Sequence, residues 1–412
     1  MVFLYNLGVR IYQLLVAVAS TFNGKAKLFR NGRKGCELRL SESVKKDDRI
    51  VWFHCASLGE FEQGRPVIEA FRAKYPNIKI LLTFFSPSGY EIRKNYAGAD
   101  FIFYLPLDTY WNSKKFIDIV NPIATIFVKY EFWYHYLNQL KKRNIPIYII
   151  SAIFRADQVF FKSYGGWYRK FLFNFQHLFV QNMNSKELLA GIGVNNVTVA
   201  GDTRFDRVAA NAQAAKVIPL IERFAANSRV LVAGSTWPKD EDLIVEYFKA
   251  NPHNLKLIIA PHEIHDQNIE KLRERFGLKS LRYTMPNECE PSEAQILIID
   301  TIGILSSVYR YGTAAYIGGG FGVGIHNTLE AAVFGIPVIF GPNYQRFQEA
   351  VELIEIGAAQ SVGDHDQFAN ALNQLIQTES ELQRIKGISV NYFSARVGAT
   401  NTILDNIHLP NL

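Results

Sequence analysis

Two patterns of apolar and polar positions run along this chain. In residues 1–22 the apolar positions Leu4, Leu7, Ile11, Leu14, Leu15 and Val18 recur at three- and four-residue spacing, which predicts a helix with one apolar face, interrupted by Asn6, Arg10 and Gln13. From residue 49 onward short β-rich runs alternate with helix-prone stretches. Strands are predicted at 49–56, 78–86, 100–105, 124–129, 146–151, 177–181 and 197–200. A second series follows at 229–234, 255–260, 295–300, 314–318 and 337–340. Strands separated by helix-length intervals build βα units and a largely parallel sheet. Between the two series, 205–228 is Ala/Asn-rich and helix-prone. The expected fold is therefore α/β, with two doubly wound sheets joined near 205–228 and a cleft at the C-terminal ends of their strands. A chain of 412 residues suits two cores better than one.

Composition narrows the class. Hydrophobic residues make up 48% and charged residues 20%, which is globular and excludes a disordered tail protein or a multi-span transporter. The three cysteines, Cys36, Cys55 and Cys289, are odd in number and far apart, so no disulfide framework is implied and a reducing compartment is the simpler reading. Forty-five basic against 38 acidic residues give a net charge of +7 and point to anionic partners: phosphorylated substrates, an anionic lipid surface or nucleic acid. Directly after the N-terminal helix come Lys25, Lys27, Arg30, Arg33 and Lys34 with no acidic residue among them. An apolar helix with a basic collar holds an anionic cytoplasmic leaflet at ~1 kcal/mol per surface Lys or Arg. The competing reading is a core helix followed by a solvated loop. A cleaved signal is disfavoured, since no positive region precedes Arg10.

Several segments carry candidate chemistry. The first strand exits into Ser57-Leu58-Gly59-Glu60, and a strand-to-helix turn sets Glu60 at the mouth of a cleft, either as general base or as an acidic complement to the helix dipole. Glu131 sits at a second strand end, flanked by Tyr130, Phe132 and Trp133, and there a plain helix start competes. In 313–343 a strand runs into Gly318, Gly319, Gly320, Gly322 and Gly324, after which His326 and Asn327 are expected to open a helix carrying Glu330. Glycines allow close backbone approach to a phosphate, and Glu330 is placed to accept from ribose hydroxyls; a flexible turn is the alternative. No Gly-x-Gly-x-x-Gly dinucleotide fingerprint, Gly-x-Ser-x-Gly or Walker loop occurs. Asp364-x-Asp366 reads as a helix cap, and His262 to His265 has the wrong spacing for a zinc helix. Aromatic and basic residues interleave in 154–175, which suits stacking on single-stranded nucleic acid, an interfacial lipid patch or a core-facing helix.

Together these motifs resemble the 3-deoxy-D-manno-octulosonic acid (Kdo) transferases of lipid A assembly, membrane-associated GT-B glycosyltransferases. The likeness covers nearly the whole chain. His54 through Glu60 match the family's H-x-A-S-x-G-E, Glu131-Phe132-Trp133 its E-L-W, and Gly201 through Asp206 its G-N-x-K-F-D. Ala233 through Thr236 match A-G-S-T, Pro261-His262 the P-R-H region, and His326 through Glu330 H-N-P-L-E. Departures are Lys129 in place of a first acidic residue, Arg204 for lysine, Thr328 for proline, and no arginine between Pro261 and His262.

The resemblance implies inverting, metal-independent transfer of Kdo from CMP-Kdo to a hydroxyl of the lipid A precursor lipid IVA, with CMP-Kdo a substrate and no cofactor. It implies Glu60 as general base and Glu131 with Arg204 in transition-state stabilisation. CMP would be held by Pro261, His262, Gly303, Ile304, Leu305, Asn327, Thr328, Leu329 and Glu330. Expected domains are an anchor and collar at 1–35, an acceptor domain at 36–210, a linker at 211–228 and a donor domain at 229–412. The expected partners are CMP-Kdo, the lipid A precursor and an anionic membrane surface, without nucleic acid. The expected location is the cytoplasmic face of the inner membrane. The alternative is a GT-B transferase or epimerase acting on another nucleotide sugar.

Overall fold

The computed structural model describes residues 1–251 and 255–410; residues 252–254 and 411–412 of the expected donor domain lie outside the described residues. The chain forms two compact units. One comprises Met1–Asp206 with the segment from Arg396 onward, the other Arg207–Ala395.

The first unit holds a seven-stranded sheet built from β1 (Ile50–Cys55), β2 (Lys79–Phe84), β3 (Phe101–Tyr104), β4 (Ala124–Val128), β5 (Ile147–Ala152), β6 (His177–Val180) and β7 (Val197–Val199). Its strand order is β3-β2-β1-β4-β5-β6-β7, and every pairing is parallel. All six residues of β1 are buried, as expected when both faces of a parallel sheet are covered. Successive side chains divide between two cores: Trp52 packs with Phe127 and Ile149, whereas Val51 and Phe53 join Ile126 and Tyr148.

The second unit repeats the plan with β8 (Val230–Thr236), β9 (Lys256–Pro261), β10 (Ser280–Arg282), β11 (Ile296–Ile298), β12 (Ala314–Ile317), β13 (Val338–Phe340) and β14 (Ala359–Ser361). The order β10-β11-β9-β8-β12-β13-β14 is again all parallel. In each sheet the first strand in sequence lies inside, and strand order reverses beside it. The two switch points, β1/β4 and β8/β12, are where doubly wound sheets open a crevice for ligands.

Around the first sheet, α1 (Val2–Ala19), α2 (Gly24–Arg33) and α3 (Cys36–Ser43) precede β1. The apolar stripe of α1 faces outward: Leu14 and Leu15 are 64% and 61% exposed, which removes the core-helix reading. The basic collar needs one correction. Lys25, Lys27, Arg30 and Lys34 are not buried, but Arg33 turns inward. Its guanidinium lies 3.7 Å from the centroid of the Phe29 ring and donates to the carbonyls of Leu105 (2.9 Å), Phe29 (3.0 Å) and Phe85 (2.6 Å). Burial pushes its pKa down to about 10.

The last helix, Ala399–Asp405, also departs from expectation. It packs on the first unit, because Asp206 accepts from the amides of Gly398 (2.5 Å) and Thr400 (2.6 Å) while Ile403, Leu404 and Ile407 fill the first unit's core.

Candidate active site

At the β1/β4 switch point two glutamates converge. β1 leads through Ser57, at the N-cap position of α4 (Leu58–Lys74), to Glu60 in the first turn of that helix. The Ser57 hydroxyl donates to Glu60 Oε2 at 2.6 Å and fixes the carboxylate. Helix α4 lies close against the sheet: a Cβ on Gly64 would stand 2.9 Å from Val128 Cγ2 and 3.4 Å from Cys55 Sγ. Across the switch, β4 ends at Val128 and the chain reverses through Lys129, whose φ of 64° is left-handed. That reversal delivers Glu131 back toward the sheet edge, where it is buried.

A chain of hydrogen bonds holds Glu131. Its Oε2 accepts from Trp133 Nε1 at 2.6 Å and meets His54 Nε2 at 3.1 Å. Behind it, His54 Nδ1 lies 2.8 Å from Thr83 Oγ1, which accepts from Trp52 Nε1 at 2.7 Å. An indole only donates, and the other acceptor for the Thr83 proton, the Phe53 carbonyl, is 3.5 Å away. Thr83 Oγ1 thus bridges the Trp52 indole and the His54 imidazole behind Glu131. The fully buried thiol of Cys55 has its pKa raised by burial and then by both Glu60 and Glu131, so the two carboxylates share one neighbourhood.

Arg204 lies in the first turn of the helix Thr203–Gln213. Thr203 donates to the carbonyl of Gln63 at 2.6 Å, one turn along α4 from Glu60, and so ties this helix start to the same helix. Arg204 is itself gripped by Asp202, with Nε at 2.8 Å and Nη2 at 2.7 Å from Oδ2 and the backbone amide at 2.9 Å from Oδ1. Sequence reasoning missed Asp202, although it stands two positions away.

The second unit gathers its residues around the β8/β12 switch. Trp237 follows β8 and His262 follows β9; their rings stack at 4.3 Å, and His262 lies 5.0 Å from His326. Trp237 Nε1 donates to His326 Nε2 at 3.3 Å. Burial, with His262 adding to it, lowers the His326 pKa and keeps the ring a neutral acceptor. Asp240 organises the turn. It is completely buried and accepts from the amides of Trp237 and Gly319 (both 2.9 Å) and from the Tyr316 hydroxyl (2.8 Å). Only the fold brings Asp240 to Gly319, so no sequence signal marked it.

Two glycines of the run have a packing role. A Cβ on Gly318 would collide with the Ser235 backbone, and one on Gly320 would stand 2.6 Å from Gly341 backbone atoms. These glycines let the ends of β8, β12 and β13 touch. The expected helix opening at His326 is shorter and later, at Leu329–Ala332. Asn327 accepts from the Leu329 amide at 3.2 Å and donates to Glu330 at 3.0 Å. Burial raises the Glu330 pKa, opposed by Asn327 and Arg207. Thr328 and Leu329 are fully buried, so their side chains serve the packing of this turn. Gly303 and Ile304 lie in the loop after β11, and Leu305 starts the one-turn helix Leu305–Val308. Beside Pro261 a cavity of about 260 Å³ is lined by Thr236, Trp237, Glu241, Lys271 and Arg275 among others.

Other candidates resolve simply. Asp364 caps the helix His365–Gln377 by accepting from the Gln367 amide at 2.8 Å. In 154–175, Phe154, Phe160, Phe171 and Phe175 are core residues, while Tyr164, Tyr168 and Phe173 are exposed. Among the described residues no three His, Cys, Asp or Glu side chains gather as metal ligands.

Two Rossmann-like parallel sheets, each presenting polar residues at its switch point, define a protein of the GT-B class. A UDP-GlcNAc 2-epimerase from Neisseria meningitidis solved bound to UDP-GlcNAc shares this fold at a TM-score of 0.61 and 16% identity, covering 86% of this chain and 98% of its own. Residues 32–207 match the family described as 3-Deoxy-D-manno-octulosonic-acid transferase (kdotransferase). The chain is 29% identical to the 3-deoxy-D-manno-octulosonic acid transferase of Aquifex aeolicus, over 83% of this chain and 90% of that protein. To the transferase of the same description in Haemophilus influenzae it is 25% identical, over 86% of each chain. By both comparisons the chain is similar to Kdo transferases, over residues 32–207 for the family and over most of its length for these two relatives.

Proposed function

We propose that this protein transfers Kdo from CMP-Kdo to a hydroxyl of the lipid A precursor lipid IVA, with inversion and without a metal or cofactor. The observation that carries the reading is Glu60, fixed by Ser57 at the end of β1 and set across the switch point from Glu131. Glu60 takes the proton of the acceptor hydroxyl as its oxygen bonds to the anomeric carbon. The bond from that carbon to the phosphate oxygen breaks on the opposite side, and CMP leaves as an anion. Arg204 and Glu131 support the oxocarbenium-like transition state. Pro261, His262, Gly303, Ile304, Leu305 and the 327–330 turn hold CMP, where a half-buried acceptor such as Glu330 suits ribose hydroxyls. The exposed apolar stripe of α1 and the four outward-facing basic residues after it support attachment to an anionic membrane surface, the cytoplasmic face of the inner membrane.

The test is incubation of the full chain with CMP-Kdo and purified lipid IVA, with products resolved by mass spectrometry. A gain of one or more Kdo units is expected. Folded protein that leaves CMP-Kdo intact while consuming another nucleotide sugar overturns the donor assignment. Chelation of divalent ions is expected to leave the rate unchanged; inhibition reversed by added divalent ion overturns the metal-independent step.

A further inference from the structure

Helix α1 carries polar side chains that a lipid anchor does not need, and they meet the segment just after Glu131. The helix Tyr134–Lys142 starts with Trp133 at its N-cap and receives no side-chain cap from it. Buried Asp108 supplies the cap from outside, accepting from the amides of His135 and Tyr136, both at 3.0 Å. The Tyr5 hydroxyl donates to that same carboxylate and accepts from the Tyr134 amide at 3.4 Å. Next to it, Asn6 Oδ1 lies 2.6 Å from His135 Nε2. Tyr134 and His135 are thus tied directly to α1, and Tyr136 through Asp108, whose carboxylate Tyr5 holds. A second route runs through rings: Tyr12 stacks on Phe85 at 6.1 Å, Phe85 meets Trp133 at 4.7 Å, and Trp133 donates to Glu131. Meanwhile Leu4, Leu7, Ile11, Leu14, Leu15 and Val18 remain on the exposed side.

We propose that α1 is a positioning element for the Glu131 turn, with Tyr5 and Asn6 as its positioning residues. Membrane attachment and site geometry are then properties of opposite faces of one helix. The inference rests on the Kdo-transfer reading for its kinetic consequence but not for its structural one.

Full-length Tyr5→Phe/Asn6→Ala keeps the exposed stripe and the Tyr5 ring contacts to Tyr134 and Trp167. It is compared with the parent in detergent-solubilised transfer assays, in sedimentation with anionic phospholipid vesicles, and by ¹⁹F NMR after 5-fluorotryptophan labelling, with Trp133 assigned by Trp133→Phe. We expect kcat to fall about tenfold, donor KM to stay within about twofold, sedimentation to be unchanged and the Trp133 resonance to move. An unchanged kcat with an unmoved Trp133 resonance overturns the inference. If the double variant does not fold, Tyr5→Phe alone, which removes one oxygen, carries the same comparison. A parent protein that transfers no Kdo defeats the functional reading, and the Trp133 resonance still decides the positioning role.

Discussion

The Ser57 hydroxyl leaves Glu60 one defined orientation, and a general base depends on orientation as much as on basicity. Glu60→Gln should abolish transfer while CMP binding, followed by calorimetry, persists; joint loss of both counts against the base role. Ser57→Ala keeps the carboxylate but frees it, so kcat should drop about tenfold with donor binding intact. Transfer at the parental rate by Ser57→Ala sinks the orientation argument. In the second unit Gly320 answers to packing instead: its missing Cβ would face Gly341 backbone, which has no side chain to move aside. Gly320→Ala should destabilise that unit by about 1–3 kcal/mol, seen as a lower denaturant midpoint. A parental midpoint would show that the loop yields. Glu60 was legible in the sequence because Ser57, the turn and the helix start are contiguous. Asp240 was not, because Gly319 reaches it from 79 positions away.

At the scale of elements, the helix Tyr134–Lys142 takes its N-terminal satisfaction from Asp108, and the cost shows in that carboxyl's titration. Burial raises its pKa from the ordinary carboxylate range to about 6, even though the His135 and Tyr136 amides oppose the shift. The folded pKa lies above the unfolded one, so the associated stability is fully present below about pH 4 and is lost as pH rises through 6. A shift of this size corresponds to roughly 3 kcal/mol across that window. Comparing denaturant midpoints of the parent and Asp108→Asn from pH 4 to 7 should show a shallower decline in the variant. Parallel curves would mean that Asp108 titrates as an ordinary surface carboxylate. The strands with four or more buried residues all announced themselves as apolar runs, whereas the edge strands β10 and β14, three residues each, are too short to show alternation. The one-turn helix at 329–332 is later than expected because the His326 amide donates instead to the Gly318 carbonyl at 3.1 Å, holding that residue in the turn.

For the molecule as a whole, the two series of strands predicted two sheets, but sequence order alone placed the C-terminal helix with the wrong one. What decides its position is long-range: Asp206 holds the amides of Gly398 and Thr400, and the Tyr148 hydroxyl donates to the His408 carbonyl at 2.9 Å. Neither pairing leaves a trace in local pattern, because the partners are 192 to 260 positions apart. Ile403, Leu404 and Ile407 then contribute burial on the order of 5 kcal/mol to the core that also contains Phe53 and Phe71. Removing residues from 399 onward should therefore loosen the first unit selectively. In hydrogen exchange, amides of β1 and α4 should lose protection, while those of β8 and β12 keep theirs. Loss confined to the second unit would return the C-terminal helix to that unit. Equal protection throughout would mean that the first core closes without it.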